Sequence, residues 1–437
     1  MNIIKVAFYL ENRAIPNIDL SAPELGNPGC GGTEFLFVAL PYYLEKLGSD
    51  YQPVILANHI NKLPSSVDHI KVADVVEAAR QAKSYGCGIF VYRPRRHTEQ
   101  VLLDEIDALE INTVAWAHIT PMDDYLRAMA RTQFLKALVC VEHEQHDLAR
   151  DSAIWKKLTY IVNGFDVDGF RLSAPPPKEQ GLVVYLGALV PQKGFHLLAK
   201  AWPKVLERCP NARLAVIGTG ALYAEGAKLG PWGVADSRYE EHYILPHLAD
   251  SAGKPLSSVS FLGQLGTEKK EVLYRAMVGV PNPGGQTENC PGSALEFQAA
   301  GTAVVSGAFY GLLDTVRNGQ TGLLGKSEED LIDHICQLLE NPERAFALGE
   351  NGIRFIEERY NYPAIVASWS ELFDRISQSL GPKRMPGKSN LHQHHKYLIA
   401  LNRYFQIIFG GIIPWPSVVE IKARLLPFLK SFFRGAE

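Results

Sequence analysis

The chain has 437 residues, of which 46% are hydrophobic and 21% charged, and this composition excludes a disordered, collagen-like or fibrous protein. Its length predicts two or three domains. The formal net charge is only −3, so the chain as a whole lacks the strongly basic character that nucleic-acid binding requires.

Short, continuous apolar runs predict buried strands. They are Ile3–Leu10, Pro53–Ala57, Gly88–Tyr92, Thr113–Ala117, Ala137–Val141, Leu182–Leu186, Leu214–Ile217, Val259–Leu262 and Ala303–Val305. Continuous runs are typical of parallel strands buried on both faces. Helical segments such as Glu34–Leu47 and Phe195–Arg208 lie between them. This alternation predicts an α/β fold of doubly wound parallel sheets, with ligands at the carboxyl ends of the strands.

The strand–helix pattern stops at residue 169 and then starts again. The intervening residues 170–180 contain three consecutive prolines, which fit neither a sheet nor a helix interior. We therefore predict two Rossmann-like domains, residues 1–169 and 181–380, that face each other across a cleft. A break rich in Gly, Pro and Lys then separates residues 381–437 from the second domain.

Several features predict a cytoplasmic protein. The six cysteines include no CxxC pair, so we expect reduced thiols rather than a zinc ribbon or a disulfide framework. The apolar run near the N-terminus is too short for a signal peptide. No uninterrupted apolar stretch approaches the about 20 residues that a membrane-spanning helix needs.

Two glycine clusters follow predicted strands. In Gly26–Thr33 (GNPGCGGT), glycines would let the backbone approach a ligand at a helix N-terminus, although a tight turn without a ligand is an equal alternative. Gly218 and Gly220 begin a dinucleotide-binding pattern, but its third glycine would fall at Tyr223. This mismatch disfavours a dehydrogenase and favours a simple strand-to-loop turn.

Two acidic residues eight positions apart form the strongest candidate site. Ser293 and Glu296 have the spacing of a capping box, so Glu296 could simply cap its own helix. Alternatively, Glu288 and Glu296 border the amides of a helix N-terminus and accept hydrogen bonds from the hydroxyls of a sugar phosphate. Lys193, in a loop after Leu182–Leu186, would then neutralise the phosphate, unless it is merely solvated.

Five motifs in order resemble those of the retaining GT-B glycosyltransferases of family 4, over about residues 1–375. They are Gly31–Glu34 (GGTE), Asn163–Asp166 (NGFD) with Phe170, Gly187–Gly194 (GALVPQKG), Glu288–Glu296 (E-x7-E) and Gly319–Leu324 (GQTGLL); Tyr360–Phe373 also resembles the family's closing helix. The resemblance implies a GT-B fold with an acceptor domain and a donor domain. It implies transfer of a hexose, with retention, from a nucleotide sugar such as a UDP- or GDP-hexose to a glycan or lipid-linked acceptor in surface polysaccharide or glycolipid synthesis.

The resemblance also implies roles for individual residues. Glu288 would bind the donor sugar, Glu296 the ribose, and Lys193 the diphosphate. His118, which follows Thr113–Ala117, would lie near the transferred sugar. The other donor-binding candidates are Gly32, Asn289, Cys290, Gly292 and Ser293. The family needs no bound metal, because a lysine and helix-end amides replace it, so we expect no cofactor.

Three positions depart from the family pattern. Ala188 replaces an arginine, Val162 replaces a proline, and Pro291 has no N–H group to donate. Ala188 favours an alternative in which a catalytically impaired GT-B chain serves as a binding or scaffold partner, whereas the intact acidic pair favours the enzyme. A sugar-phosphate epimerase is the least favoured alternative.

Three arginines could supply the charge that Ala188 lacks. Arg93, Arg95 and Arg96 follow the strand Gly88–Tyr92, and arginine suits bidentate contact with phosphate or carboxylate. We predict that one of them faces the cleft and binds donor phosphate or an anionic acceptor. The more common alternative is a solvated loop.

The C-terminal region is strongly basic. Residues 383–437 contain nine Lys or Arg and two Glu, a charge of +7 that leaves −10 for the rest of the chain. Its apolar residues recur at helical spacing, with basic residues between them: Val418, Ile421, Leu425, Phe428, Leu429, Phe432 and Phe433, with Lys422, Arg424, Lys430 and Arg434. Such a basic amphipathic helix, with Tyr404 and Trp415 as interface residues, predicts attachment to the anionic inner face of the cell membrane. Packing onto the protein body is the equal alternative.

Overall fold

Two parallel sheets form the framework of the molecule. The computed structural model describes residues 3–220, 228–285, 288–388, 396–409, 413, 415–422 and 424–425. The first sheet contains β1 (Ile4–Leu10), β2 (Tyr51–Ala57), β3 (Asp68–Lys71), β4 (Ile89–Tyr92), β5 (Asn112–Ala117), β6 (Leu135–Cys140) and β7 (Leu158–Tyr160). The second contains β8 (Leu182–Leu186), β9 (Arg213–Ile217), β10 (Val259–Gly263), β11 (Val278–Val280), β12 (Ala303–Gly307) and β13 (Gly322–Gly325).

Helices connect the strands of both sheets. The first sheet carries α1 (Gly32–Lys46), α2 (Val75–Ser84), α3 (Gln100–Ala108), α4 (Asp123–Arg131), α5 (His143–Ala149) and α6 (Val167–Phe170). The second carries α7 (Phe195–Arg208), α8 (Ser237–Tyr239), α9 (Leu245–Leu248), α10 (Lys269–Arg275), α11 (Gly292–Ala299), α12 (Leu312–Thr315), α13 (Glu328–Glu340) and α14 (Pro342–Arg359). The chain closes with α15 (Tyr362–Ser377) and α16 (Lys396–Phe409).

The strand orders are those of doubly wound sheets. The first sheet has the order β3-β2-β1-β4-β5-β6-β7 and the second β10-β9-β8-β11-β12-β13, and the described ladders between neighbours are parallel. This confirms the predicted fold class. The order reverses between β1 and β4 and between β8 and β11, and ligands bind at such reversal points.

The nine predicted strands are present, but the described residues contain four more. β3 reads DHIK and is not buried, so it lacks the apolar run of a central strand. β7 and β11 have only three residues each, and β13 (GLLG) contains two apolar side chains. Pairing with neighbouring strands, rather than local sequence, determines these short elements.

The end of the second domain returns to the first. α15 contributes Trp369 and Phe373 to the core beneath the first sheet. The ring centroids of Trp369 and Trp116 lie 5.1 Å apart, and the Tyr51 hydroxyl donates to Asp374 at 2.5 Å. The closing helix, which ends the predicted domain of residues 181–380, therefore packs against the first domain.

The Gly218–Gly220 pair forms a turn, as its failed dinucleotide pattern predicted. Gly218 has a φ of +137°, and a β-carbon at this position would lie 1.9 Å from the carbonyl oxygen of Gly187. Only glycine permits this approach of two strand-end loops. The turn brings the loop after β8 against the loop after β9.

Part of the predicted C-terminal helix packs on the first domain. Residues 418–422 are helical, and Glu420 forms an ion pair of 2.8 Å with Arg127 of α4. The Val418 amide donates to Asp151 at 2.7 Å. Phe428, Leu429, Lys430, Phe432, Phe433 and Arg434 lie outside the described residues. Among the described helices, none is long and apolar enough to cross a membrane.

Candidate active site

A cleft of about 510 Å³ lies between the carboxyl ends of the two sheets. Its walls include the loops that follow β1, β4, β8 and β11, which are the strands at the two reversal points. The first residues of α1 and α11 also line it. Because a helix N-terminus carries partial positive charge and amide donors, the cleft offers two such ends to an anionic ligand.

The sequence-predicted donor residues converge on this cleft. Its lining includes His118, Glu288 and the donor-binding candidates Gly32, Lys193, Asn289, Cys290, Gly292, Ser293 and Glu296. Of the three arginines, Arg93 lines the cleft, whereas Arg95 pairs with Glu11 and Glu99 outside it. Arg96 is exposed and is not among the lining residues. The structure therefore places one of the three arginines where we predicted.

Three cation–carboxylate pairs line the described walls of the cleft. Lys193 Nζ lies 2.7 Å from Glu288 Oε1, Lys269 Nζ lies 2.8 Å from Glu296 Oε1, and Arg93 Nη1 lies 3.1 Å from Glu34 Oε1. In each pair the carboxylate can accept from hydroxyl groups, and the cation can bind phosphate. The arrangement therefore suits a ligand that carries both hydroxyl groups and phosphate groups.

Glu288 is held from two sides. Lys193 Nζ donates to Glu288 Oε1 at 2.7 Å, and the Asn282 side-chain amide donates to the same oxygen at 2.8 Å. The Asn282 amide also donates to the Gln192 carbonyl at 3.0 Å. Glu288 is 7% exposed. These contacts fix the carboxylate at the cleft wall, and neither uses Oε2.

Glu296 does not form the capping box. The N-cap of α11 is Pro291 rather than Ser293, and no side chain caps this helix. Glu296 instead pairs with Lys269, whose Nζ also donates to the Asn27 carbonyl at 3.0 Å. The helix begins one residue after the proline because proline disfavours a helical conformation in the residue before it but is itself tolerated at a helix start. The capping alternative is therefore wrong.

His118 is a neutral imidazole at physiological pH. Burial, reinforced by the charge of Arg93, lowers its pKa to about 3, against a weaker opposing effect of Asn163. Both ring nitrogens are shielded from solvent, and although Asn163 lies beside the ring, no well-aligned hydrogen bond reaches either nitrogen among the described residues. The Asn289 amide donates to the His118 backbone carbonyl at 2.7 Å and links the two walls. A ligand hydroxyl would satisfy the unpaired ring.

Lys269 and Asn282 also line the cleft, although the sequence did not predict either residue there. Lys269 is 5% exposed, an uncommon state for lysine, yet it stands in a run of charged residues that resembles a solvated helix start. Asn282 directly precedes the PGG turn, and a buried strand ends just before it. Its position at the carboxyl end of that strand is the one signal that could have identified it.

A second ionic cluster lies next to Cys290 and connects the first domain to the second. Glu142 at the start of α5 is fully buried; Arg359 Nη2 lies 2.7 Å from its Oε2, and the Tyr360 hydroxyl donates to its Oε1 at 2.7 Å. His143 Nδ1 lies 3.1 Å from Asp314 and 3.3 Å from Arg359. Glu142, His143 and Asp314 have the proximity of metal ligands, but the Arg359 guanidinium already supplies a cation there.

Comparisons with known proteins agree with this architecture. Residues 168–355 match the family model of the glycosyl transferases group 1. The chain is 28% identical over 251 residues to a phosphatidyl-myo-inositol mannosyltransferase of Mycobacterium tuberculosis, with 53% of this chain and 59% of that protein covered. It therefore spans less than two thirds of that relative's length.

Two solved structures show the same fold. Sucrose-phosphate synthase from Thermosynechococcus elongatus has 17% identity and a TM-score of 0.63, with 86% of this chain and all of that chain covered. HepE from Anabaena, solved in complex with UDP, has 15% identity and a TM-score of 0.61, with 85% of this chain and all of that chain covered. At these identities the likeness shows the two-domain GT-B fold alone.

Proposed function

Because residues 168–355 match the family model of the glycosyl transferases group 1, we propose that the protein is a retaining hexosyltransferase that uses a nucleotide-diphosphate sugar. The observation that carries this proposal is the Lys193–Glu288 pair beside the N-terminus of α11, in the cleft between the two sheets. We further propose that residues 181–380 bind the donor, residues 1–169 bind the acceptor, and residues 170–180 act as the linker.

In this proposal the carboxylate and the cation of each ion pair bind different groups of the donor. Glu288 accepts hydrogen bonds from hydroxyls of the hexose, and Glu296 from those of the ribose. Lys193 and the amides of Gly292 and Ser293 then bind the diphosphate. As the glycosidic bond breaks, negative charge develops on the departing diphosphate, and a preorganised cation and helix N-terminus stabilise it.

His118 would contact the transferred sugar. With its pKa lowered to about 3, the ring stays neutral and has one donor and one acceptor nitrogen. Neither nitrogen has a well-aligned hydrogen bond among the described residues, and the side chain lines the cleft. Gly32, Asn289 and Cys290 would complete the donor site, with Asn289 fixing the His118 loop through its backbone carbonyl.

The acceptor is proposed to be a glycolipid or another lipid-linked glycan. The support is the similarity to a mannosyltransferase whose name specifies phosphatidyl-myo-inositol as its acceptor. Such an acceptor would place the protein in the cytoplasm, at the inner face of the cell membrane, in glycolipid or surface polysaccharide synthesis.

The donor is testable by a thermal-shift panel of UDP- and GDP-hexoses, followed by donor-hydrolysis and transfer assays. We expect one nucleotide series to raise the Tm, and its hexose donor to be turned over equally well with and without EDTA, because Lys193 and helix amides replace a metal. Nuclear magnetic resonance of the product should show the donor's anomeric configuration. Nucleotide-sugar binding without any turnover would instead support the impaired scaffold, which Ala188 favours.

Arg93 is proposed to compensate for Ala188. Arg93→Ala should weaken nucleotide-sugar binding about 10- to 100-fold, since a charge-assisted hydrogen bond contributes about 1.5–3 kcal/mol. Arg95→Ala, on the same loop but paired with Glu11 outside the cleft, is the matched control and should bind normally. Isothermal titration of both variants would measure this, and equal affinities would exclude the anion-binding role.

A further inference from the structure

The α16 helix buries polar side chains and exposes most of its large apolar ones. Its buried positions include two amides, Asn402 and Gln406, together with Ile399. Its large apolar side chains are solvent-exposed instead: Tyr397 is 87% exposed, Leu401 55% and Ile408 57%. A contiguous exposed apolar face of this kind marks a contact with another body, because a soluble helix normally buries it.

Specific polar contacts hold the helix in this orientation. The Asn402 side chain donates to Asp151 at 2.8 Å and to the Pro416 carbonyl at 3.0 Å, and it accepts from the Trp415 indole at 2.8 Å. The Gln406 amide donates to the Trp415 carbonyl at 2.6 Å. Turning the apolar face inward would break these bonds and leave Asp151 and the Trp415 indole without the Asn402 side chain as their partner. These hydrogen bonds therefore fix α16 with its apolar face toward solvent.

Two arginines lie beside α16, on the flank of the helix that faces the first domain rather than on its outward face. Arg384 and Arg403 lie over the ring of Trp155, at 5.0 and 4.7 Å from its centroid. Burial and the nearby charges of Arg150 and Arg384 lower the pKa of Arg403. Crowded guanidinium groups attract anions, and they fit phosphate groups in particular.

We propose that the outward face of α16 is a membrane-contact surface that inserts its apolar side chains among lipid chains, while Arg384 and Arg403 bind anionic headgroups. An anionic bilayer fits better than a second copy of this chain, since the tail carries +7 and two such surfaces would repel each other. Tyr404 is 68% exposed, and tyrosine is enriched at membrane interfaces. The inference goes beyond the proposed activity and does not depend on it.

The experiment is vesicle flotation of the full chain. The parent should float with vesicles of about equal phosphatidylcholine and phosphatidylglycerol, and much less with phosphatidylcholine alone. Leu401→Asp/Ile408→Asp should lose at least about tenfold in vesicle affinity. The control Val101→Asp/Phe346→Asp, which changes two exposed apolar residues on α3 and α14, should float like the parent.

The charge contribution has its own pair of variants. Arg384→Gln/Arg403→Gln should weaken binding to the anionic vesicles about tenfold or more, whereas Arg344→Gln/Arg354→Gln, on the exposed side of α14, should not. Circular dichroism and Tm establish that each variant is folded. The proposal is overturned if the parent does not float or if the α16 variant floats like its control. It is also overturned if the lipid-free parent is a dimer that the α16 variant dissociates.

Discussion

Glu288→Gln is expected to lower kcat/KM for the nucleotide sugar about 100- to 1,000-fold. This range corresponds to about 3–4 kcal/mol of lost transition-state stabilisation, as when one preorganised electrostatic contact is removed. The reason is that the charged carboxylate both binds the reacting hexose and holds Lys193 at 2.7 Å, so its neutralisation weakens two contacts to the donor at once. Steady-state kinetics with a saturating acceptor would measure it.

The fold should survive this change. Glutamine keeps the size of the side chain and can still accept from Asn282, so the free energy of unfolding should fall by only about 1 kcal/mol. Glu271→Gln is the matched control, because Glu271 is exposed on α10 and is not among the cleft-lining residues. If Glu288→Gln kept near-parental activity, the assignment of the donor site would be wrong.

Lys193→Met separates the two effects of Glu288. If the carboxylate acts only by positioning Lys193, the double variant Lys193→Met/Glu288→Gln should be no slower than Lys193→Met alone. If Glu288 also touches the sugar, the two losses in log kcat/KM should approach additivity. We expect the second result, because the Asn282 contact fixes Glu288 independently of the lysine.

Arg359→Ala is expected to destabilise the protein by about 3–5 kcal/mol at pH 8, since it leaves the fully buried Glu142 carboxylate without its cation. Glu142 belongs to the first domain and Arg359 ends α14 of the second, so the loss should appear as early separation of the two units. Urea unfolding followed by tryptophan fluorescence would measure it. Arg354→Ala, on the exposed side of the same helix, should cost less than about 1 kcal/mol.

The loss from Arg359→Ala should also depend on pH. Burial raises the pKa of Glu142 to about 7, despite the opposing charge of Arg359, whereas an unfolded glutamate titrates near about 4.3. Folding therefore takes up a proton, and this group's contribution to stability is lost as the pH rises through its folded pKa. Removing Arg359 raises that pKa further, so the deficit should grow as the pH rises above about 7, by at most about 1.4 kcal/mol per pH unit. A deficit independent of pH would contradict the role of Glu142.

Much of the fold and of the donor site follows from local sequence. Central strands such as β1 and β8 are continuous apolar runs, because a strand covered on both faces needs apolar side chains in every position. The residues Lys193, Glu288 and Glu296 stand at strand and helix ends, and strand ends of one sheet meet at a single edge. Short strands such as β3 and β11 could not be predicted from local sequence, because they are stabilised by pairing with strands that are distant in the chain.

Only the tertiary structure decided which charges meet. Arg93 and its partner Glu34 are 59 positions apart in the sequence, and Arg359 and its partner Glu142 are 217 positions apart. No local spacing of residues therefore indicates either contact. The C-terminal region shows the same limit. Its sequence established a basic, amphipathic character, but an apolar stripe fits a membrane and a protein core equally well. The tertiary structure shows the apolar face of α16 turned outward, and the bonds of Asn402 and Gln406 fix this orientation, because rotating the helix would leave their buried partners unsatisfied.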